Sequence, residues 1–302
     1  MRIGLILPQF SGDADRVLAA ARAAEDLGYD GVFAFDHFFP PGAPADRASL
    51  EAFATLGAVA AVTERVAVGT LVARASLRPA GMLAKLAASL DDVSAGRLIL
   101  AVGTGDAISA QEHERFGLPS LGVTGRRAHL TETVRAVRAL LAGEPWPGGE
   151  YVGPVAGPIL PPPVRPGGPP LWVGGYSDAA VRIAAAEADG WNGWGVPGPA
   201  FATKAALLAE AAGAAGRSVE PTWAGLVVVG RDAGETARLM RERSRRDLAE
   251  RDVWAGTTSD LLGWLEGLRA AGATWAVLLL GGPADRAEVV ATSVLPQLRA
   301  GS

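Results

Sequence analysis

Short apolar runs alternate along this chain with longer segments whose apolar residues recur at helical spacing. Residues 3–7 form an apolar run closed by Pro8 and read as a strand. Residues 15–27 then place Val17, Leu18, Ala21, Ala24 and Leu27 on one helix face, with Gly28 as the C-terminal stop. The rhythm repeats. Strands are predicted over 31–35, 66–70, 97–102, 171–173, 190–194, 222–230 and 275–280. Helices are predicted over 50–62, 79–94, 125–141, 179–188, 199–215, 233–250, 259–271 and 286–298. Pro79 suits a first helical turn, and Leu130, Val134, Val137 and Leu141 make an apolar face on the 125–141 helix.

Strands rich in Val, Ile and Leu between amphipathic helices call for a parallel sheet covered by helices. Eight strand–helix units in 302 residues favour an α/β fold of the (β/α)8 TIM-barrel type, as one domain over 1–302. An open doubly wound sheet satisfies the same spacing. One segment breaks the rhythm. Residues 143–170 hold ten of the 21 prolines and seven glycines, which no regular helix or central strand tolerates. This Pro/Gly-rich insertion before the fifth strand reads as a rigid packing or interface loop, at the barrel's N-terminal side or wrapped around the barrel.

Composition narrows the chemistry. Hydrophobic residues at 49% and charged residues at 20% describe a globular chain with ample core. A net charge of −4 offers no basic field for nucleic acid or an anionic membrane. With no cysteine, disulfides, zinc–thiolate sites, iron–sulfur clusters and cysteine nucleophiles are excluded. His37, His113 and His129 are the three histidines, and no two have metal-ligand spacing. The first residues lack a signal-peptide layout, and no apolar stretch is long enough to span a bilayer. A soluble cytoplasmic protein without a metal site is expected.

In a barrel, function gathers at the carboxyl ends of the strands. Those positions are Gln9, Asp36 and His37, 71–74, 104–109, 174–177, 191–195, and Gly281-Gly282. His37 beside Asp36, with Asp106 after the fourth strand, could move protons near neutral pH. Helix capping explains Asp36-His37 and Asp106 equally well. Gly174-Gly175, with Ser177 as a candidate N-cap, opens a helix where free N–H groups make an anion site, although such a turn also serves purely structural ends. Trp191, Trp194 and Phe39 are candidate substrate walls or core aromatics. His113 and His129 lie away from the strand ends and default to surface or capping roles. The arginines of 241–246 read as a solvated helix face.

Local sequence adds a family. Gly31-Val32-Phe33-Ala34-Phe35-Asp36-His37-Phe38 resembles the second-strand segment of luciferase-like flavin and deazaflavin oxidoreductases. Val68-Gly69-Thr70-Leu71-Val72, then Arg78-Pro79 and Leu83 to Asp91, continue the likeness. So do Ser94-Ala95-Gly96-Arg97-Leu98 and Gly103-Thr104-Gly105-Asp106. Pro170-Leu171-Trp172-Val173-Gly174-Gly175 and Ala188-Asp189-Gly190-Trp191-Asn192 complete it. The blocks stand in family order across most of 1–195, while the last third matches mainly in rhythm.

The resemblance implies a (β/α)8 barrel that binds coenzyme F420 or FMN at its C-terminal mouth. Asp36-His37 looks like the F420 branch, since FMN-using monooxygenases often carry Glu-His-His there. By similarity, Asp36 hydrogen-bonds the polar edge of the ring and His37 lines its reacting face. Leu71–Val72 falls at the family's non-prolyl cis peptide, backing the ring. Gly174 and Gly175 offer N–H groups to the cofactor phosphate, and Thr104 to Ser109 line its side chain. Asp106 stands where some relatives have a glutamate proton donor, one methylene longer. Arg74 replaces a small or hydroxyl residue, and contact with an anionic tail and simple solvation are both open.

The implied activity is hydride transfer between F420 and a small organic substrate, with His37 or Asp106 moving the accompanying proton. An FMN monooxygenase served by a partner reductase is the nearest alternative, and a non-catalytic cofactor-binding barrel a second. A homodimer is implied by family habit.

Overall fold

The structure is a computed structural model that describes residues 1–40, 46–105, 110–244 and 253–301. Arg2–Ile6 (β1), Gly31–Ala34 (β2), Ala67–Thr70 (β3), Leu98–Gly103 (β5), Leu171–Gly174 (β6), Gly190–Trp194 (β7), Glu220–Gly230 (β8) and Trp275–Gly281 (β10) pair in parallel in that order. Because β10 pairs with both β8 and β1, the eight strands close into a barrel. The protein is therefore a (β/α)8 barrel, and the open-sheet alternative falls away. Ala73–Arg74 (β4) is a two-residue strand beside the end of β5.

Helices Ala14–Asp26 (α1), Ala52–Val62 (α2), Ala80–Val93 (α3), Val123–Leu141 (α5), Asp178–Glu187 (α6), Gly198–Ala214 (α7), Ala233–Ser244 (α8) and Thr258–Ala270 (α9) surround it. All but α8 bury an apolar stripe in the core that holds the outward-facing strand residues Val32, Val68, Leu98, Leu100 and Val173. The alternate residues fill the barrel: Ile6, Phe33, Ile99, Ala101, Trp172, Ala224, Trp275 and Val277. Phe33 packs against Trp172 at 6.0 Å and Trp275 at 5.7 Å between ring centroids. Such bulk needs gaps opposite. A Cβ on Gly190 would sit 2.4 Å from Trp172 Cδ1, so only glycine fits there.

Three expectations shift. Val253–Thr257 (β9) is a strand that periodicity does not predict, pairing with β8 beyond the end of β7. Its residues are only half-buried or exposed, so it lacks a core strand's apolar signature. The final helix is two, Arg286–Ser293 (α10) and Leu295–Ala300 (α11), because Pro296 has no N–H to continue the first. The helix predicted over 233–250 is seen to Ser244, and its remainder lies outside the described residues.

The Pro/Gly-rich insertion straps the N-terminal end of the barrel. Arg165 pairs with buried Asp91 at 2.9 Å and donates to the Leu98 carbonyl at 2.5 Å. Pro170 accepts the Leu100 N–H, and the Glu132 carboxylate takes the N–H groups of Glu150, Tyr151 and Val152. A cavity of about 450 Å³, lined by Arg2, Arg165, Trp172 and Trp275, lies under this strap. It faces away from the strand-end residues. No helix among the described residues is long and apolar enough to cross a membrane.

Candidate active site

Where β2 leaves the barrel, a side chain continues its hydrogen bonding. Gln9 is fully buried; its Oε1 accepts the Phe35 N–H at 2.6 Å and its Nε2 donates to the Phe35 carbonyl at 2.7 Å. Phe35 is thereby held as if by a further strand. Its ring stacks on Phe10 at 5.5 Å and meets the edge of Trp194 at 5.4 Å. The His37 ring stands edge-on to Phe10 and Phe35, 6.5 and 6.4 Å away. The mouth thus has an aromatic wall with one titratable ring in it.

His37 is not alone. Its Nδ1 lies 3.0 Å from Oε2 of Glu112, on the short helix Ala110–Arg115 (α4). Glu112 is 1% exposed and also meets Arg74 Nη1 at 2.6 Å and the Phe38 N–H at 2.5 Å. Burial pushes the Glu112 carboxyl up. The hydrogen bond and charge of His37, the Arg74 guanidinium and the Phe38 amide outweigh it and hold the group below its ordinary value. Arg74 is itself buried, with its head between Glu112 and the Asp36 carbonyl, to which Nε donates at 2.8 Å. Its burial removes the expectation of a solvated side chain.

Asp36 is 2% exposed and faces protein donors. Arg78 grips it with two prongs, and the Arg74 N–H adds a third bond at 2.9 Å. Burial would lower the Arg78 pKa, but Asp36 and Glu51 raise it above its ordinary value. Asp36 is therefore the counter-ion that fixes the β2 and β4 ends together, not a carboxylate presented to the mouth. His113 also departs from expectation. It is buried, with Nδ1 donating to the Pro119 carbonyl at 2.7 Å and Nε2 3.2 Å from Ser76 Oγ. His113 and Glu112 together pin α4 onto the strand-end loops.

The Leu71–Val72 peptide is cis, as the resemblance implied. The Val72 side chain is wedged between two strand ends: a Cβ on Gly103 or Gly174 would each lie 2.5 Å from one of its methyls. Thr104 is half-buried and its Oγ1 donates to the Gly105 carbonyl at 2.8 Å. Arg126, near the start of α5, donates to the same carbonyl at 3.4 Å, and its buried Nε has no partner among the described residues. Asp106 and Ser109 lie outside the described residues.

The Gly174-Gly175 turn is less open than its sequence implies. The Gly175 N–H is spent on the Asn192 carbonyl at 3.0 Å, and the Gly175 carbonyl accepts Trp191 Nε1 at 2.7 Å. Gly175, at φ +147°, needs glycine's freedom. Its amide is thus not a free phosphate donor in this structure, because the neighbouring strand takes it. Ser177 does cap α6, accepting the Ala180 N–H. Trp191 is fully buried and stacked on Phe201, and Phe39 is buried too, so both are core; Trp194 alone of the three belongs to the mouth wall.

Glu112, Arg78 and Arg126 are the polar residues that sequence reasoning passed over. Arg78 has a readable signal, a cation four residues past Arg74 in a block already singled out. Glu112 has almost none, since Glu114 on the same short helix looks alike.

Solved structures share the fold across the whole chain. An F420-dependent secondary alcohol dehydrogenase in complex with an F420–acetone adduct is similar at 20% identity and TM-score 0.86, covering 99% of each chain. A monooxygenase from Streptomyces bottropensis has 22% identity and TM-score 0.77, covering 98% of this chain and 99% of its own. A riboflavin lyase with modified FMN and riboflavin has 17% identity and TM-score 0.81, covering 100% and 92%. Residues 1–289 match the family model described as luciferase-like monooxygenase. A family model matched over nearly the full length of the barrel thus places the chain within the luciferase-like monooxygenase family.

Proposed function

We propose that this protein is an oxidoreductase that transfers a hydride between coenzyme F420 and a small organic substrate at the barrel mouth. One observation carries the reading: His37 stands in an aromatic wall with Nδ1 bonded to a buried carboxylate, an arrangement suited to moving a proton beside a flat apolar ring. The F420-dependent alcohol dehydrogenase that shares this fold supports the choice of cofactor. The family also includes flavin chemistry, as the lyase with modified FMN illustrates.

The residues present fit such a group. Phe10, Phe35 and Trp194 offer apolar faces for a tricyclic ring, and the Leu71–Val72 bulge stands at the ends of β3 and β5. The partnerless Nε of Arg126, at a helix start without a side-chain cap, suits an anionic tail. A bound deazaflavin supplies a two-electron hydride carrier. The chain's own part is to orient the reactants, exclude water and hold a proton. In the oxidising direction, His37 accepts the substrate's proton as the carbon-bound hydrogen leaves with its electron pair. Of the two proton carriers expected from sequence, His37 lies in the aromatic wall, and Asp106 lies outside the described residues.

Titration of the protein with oxidised F420 and with FMN, each in both redox states, tests the reading. Tight F420 binding and loss of its visible absorbance on substrate addition are expected. Tight FMN binding with no response to F420 would instead establish the monooxygenase alternative. Turnover of F420 that survives His37→Ala unchanged would remove the proton role.

A further inference from the structure

The carboxylate behind His37 decides which ring nitrogen is available. Glu112 Oε2 lies 3.0 Å from His37 Nδ1, and Oε1 accepts the N–H of Phe38, the next residue, at 2.5 Å. One side chain therefore grips both the ring and the backbone that carries it. Arg74 Nη1, 2.6 Å away, pairs with Oε2, the same oxygen that His37 approaches. Held below the ordinary carboxylate range, Glu112 is ionised at neutral pH and can only accept. The hydrogen between it and His37 then belongs to Nδ1. In the neutral ring this leaves Nε2 as the bare lone pair. Asp36 is paired with Arg78 and Arg78 with Glu51, and the Phe10 and Phe35 rings beside His37 carry no charge.

We infer that Glu112 is the positioning residue of this site: it selects the Nδ1–H tautomer of His37 and fixes the ring plane, so that Nε2 faces the reaction. Arg74 keeps Glu112 from taking the proton itself, because a cation beside a carboxylate makes it a weaker base. Second-sphere partners of this kind set tautomer and orientation in catalytic histidines generally. The inference rests on the proton role proposed for His37, but the tautomer is a property of the chain without cofactor or substrate. That separation makes the two testable apart.

The chain's three histidines make the measurement tractable. Long-range ¹H–¹⁵N spectra of the full-length protein, at a pH where the rings are neutral, report protonation at each nitrogen, and His37→Gln identifies the His37 signals. The wild type should show Nδ1 protonated and Nε2 bare. In Glu112→Leu/Arg74→Leu, which removes both members of the buried pair, the Nε2–H form of free histidine should prevail. His113, whose Nδ1 donates to Pro119, should keep its pattern and serves as the control. With cofactor and substrate, kcat of the double variant should fall by about 10–100-fold with KM within about twofold. Glu112→Asp should recover part of both effects, which a merely structural bolt would not predict.

Nε2–H in the wild type, or an unchanged tautomer in the double variant, overturns the inference. A changed tautomer with unchanged kcat upholds the positioning and overturns the proton role of His37. Should the double variant fail to fold, Glu112→Gln replaces it. Its single accepting oxygen cannot stand in both for Oε2, toward His37 and Arg74, and for Oε1, toward the Phe38 N–H, so the tautomer bias should weaken, and an unaltered pattern overturns the inference again.

Discussion

Arg78 closes a two-pronged ion pair on Asp36, with Nη1 2.7 Å from Oδ2 and Nη2 3.0 Å from Oδ1. Asp36 follows β2, Arg78 precedes α3, and the Arg74 N–H from β4 meets the same carboxylate. The planar guanidinium matches the carboxylate edge, a fit lysine cannot reproduce. Removing Arg78 would leave Asp36 charged and buried. Arg78→Ala should therefore cost about 3–5 kcal/mol of stability in urea unfolding, while Asp36→Asn/Arg78→Met, which removes both charges, should cost distinctly less. Equal losses in the two variants would show the pair to be idle.

The Val72 side chain fills the space that Gly103 and Gly174 leave open, with approaches of 2.5 Å to a Cβ at either position. Gly174→Ala should destabilise by about 1–3 kcal/mol through overpacking. Shortening the wedge should relieve it, so a double-mutant cycle of Gly174→Ala with Val72→Ala should give a favourable coupling energy of about 1 kcal/mol. Strict additivity would mean that the two strand ends accommodate the methyl by moving apart.

These contacts mark where sequence reading succeeds and where it stops. The barrel was legible because its strands are apolar on both faces and its helices carry one apolar stripe. Strand β9 was hidden because it lies outside the core, where alternation is not enforced. His37 was legible as a polar residue at a strand end. Glu112, 75 residues further on, was not, since only the folded chain brings α4 onto the β2 end. The partner of the Gly175 amide was illegible for a related reason: sequence shows a glycine turn, but not that its N–H reaches the Asn192 carbonyl of the next strand.

A second charge cluster, just after the ends of β8 and β10, sets a pH response of its own. Buried Arg286 donates to Asp285 through Nε and Nη2, both at 2.9 Å, and meets Glu235 at 3.2 Å. Hydrogen bonds from Arg286 and Arg231 lower the Asp285 carboxyl to about 2, from an ordinary value of 3.8. A carboxyl whose folded pKa is depressed stabilises the fold above its unfolded value and loses that contribution as pH falls through the folded one. The Asp285 share should thus be intact above about pH 4 and vanish between about 4 and 2. Asp285→Asn should lower the urea midpoint at neutral pH and shrink the drop across that window. Parallel wild-type and variant curves down to pH 2 would contradict the assignment.

Arg126 tests the anionic end of the proposed cofactor site. Its guanidinium makes one long contact, 3.4 Å to the Gly105 carbonyl, and its buried Nε has no partner among the described residues. A donor left in that state weakens the fold, so Arg126→Leu should leave the urea midpoint of the cofactor-free protein unchanged or slightly raised. With a negatively charged tail in place the same donor gains a charge-assisted bond. Affinity for F420 should then fall by about 10–100-fold in Arg126→Leu, measured by fluorescence titration. The salt dependence of binding should flatten with it, because one ionic contact is gone. Arg126→Lys should retain charge but lose the fork, and fall between the two. Lowered stability with undiminished affinity would instead make Arg126 a structural brace between α5 and the β5 end.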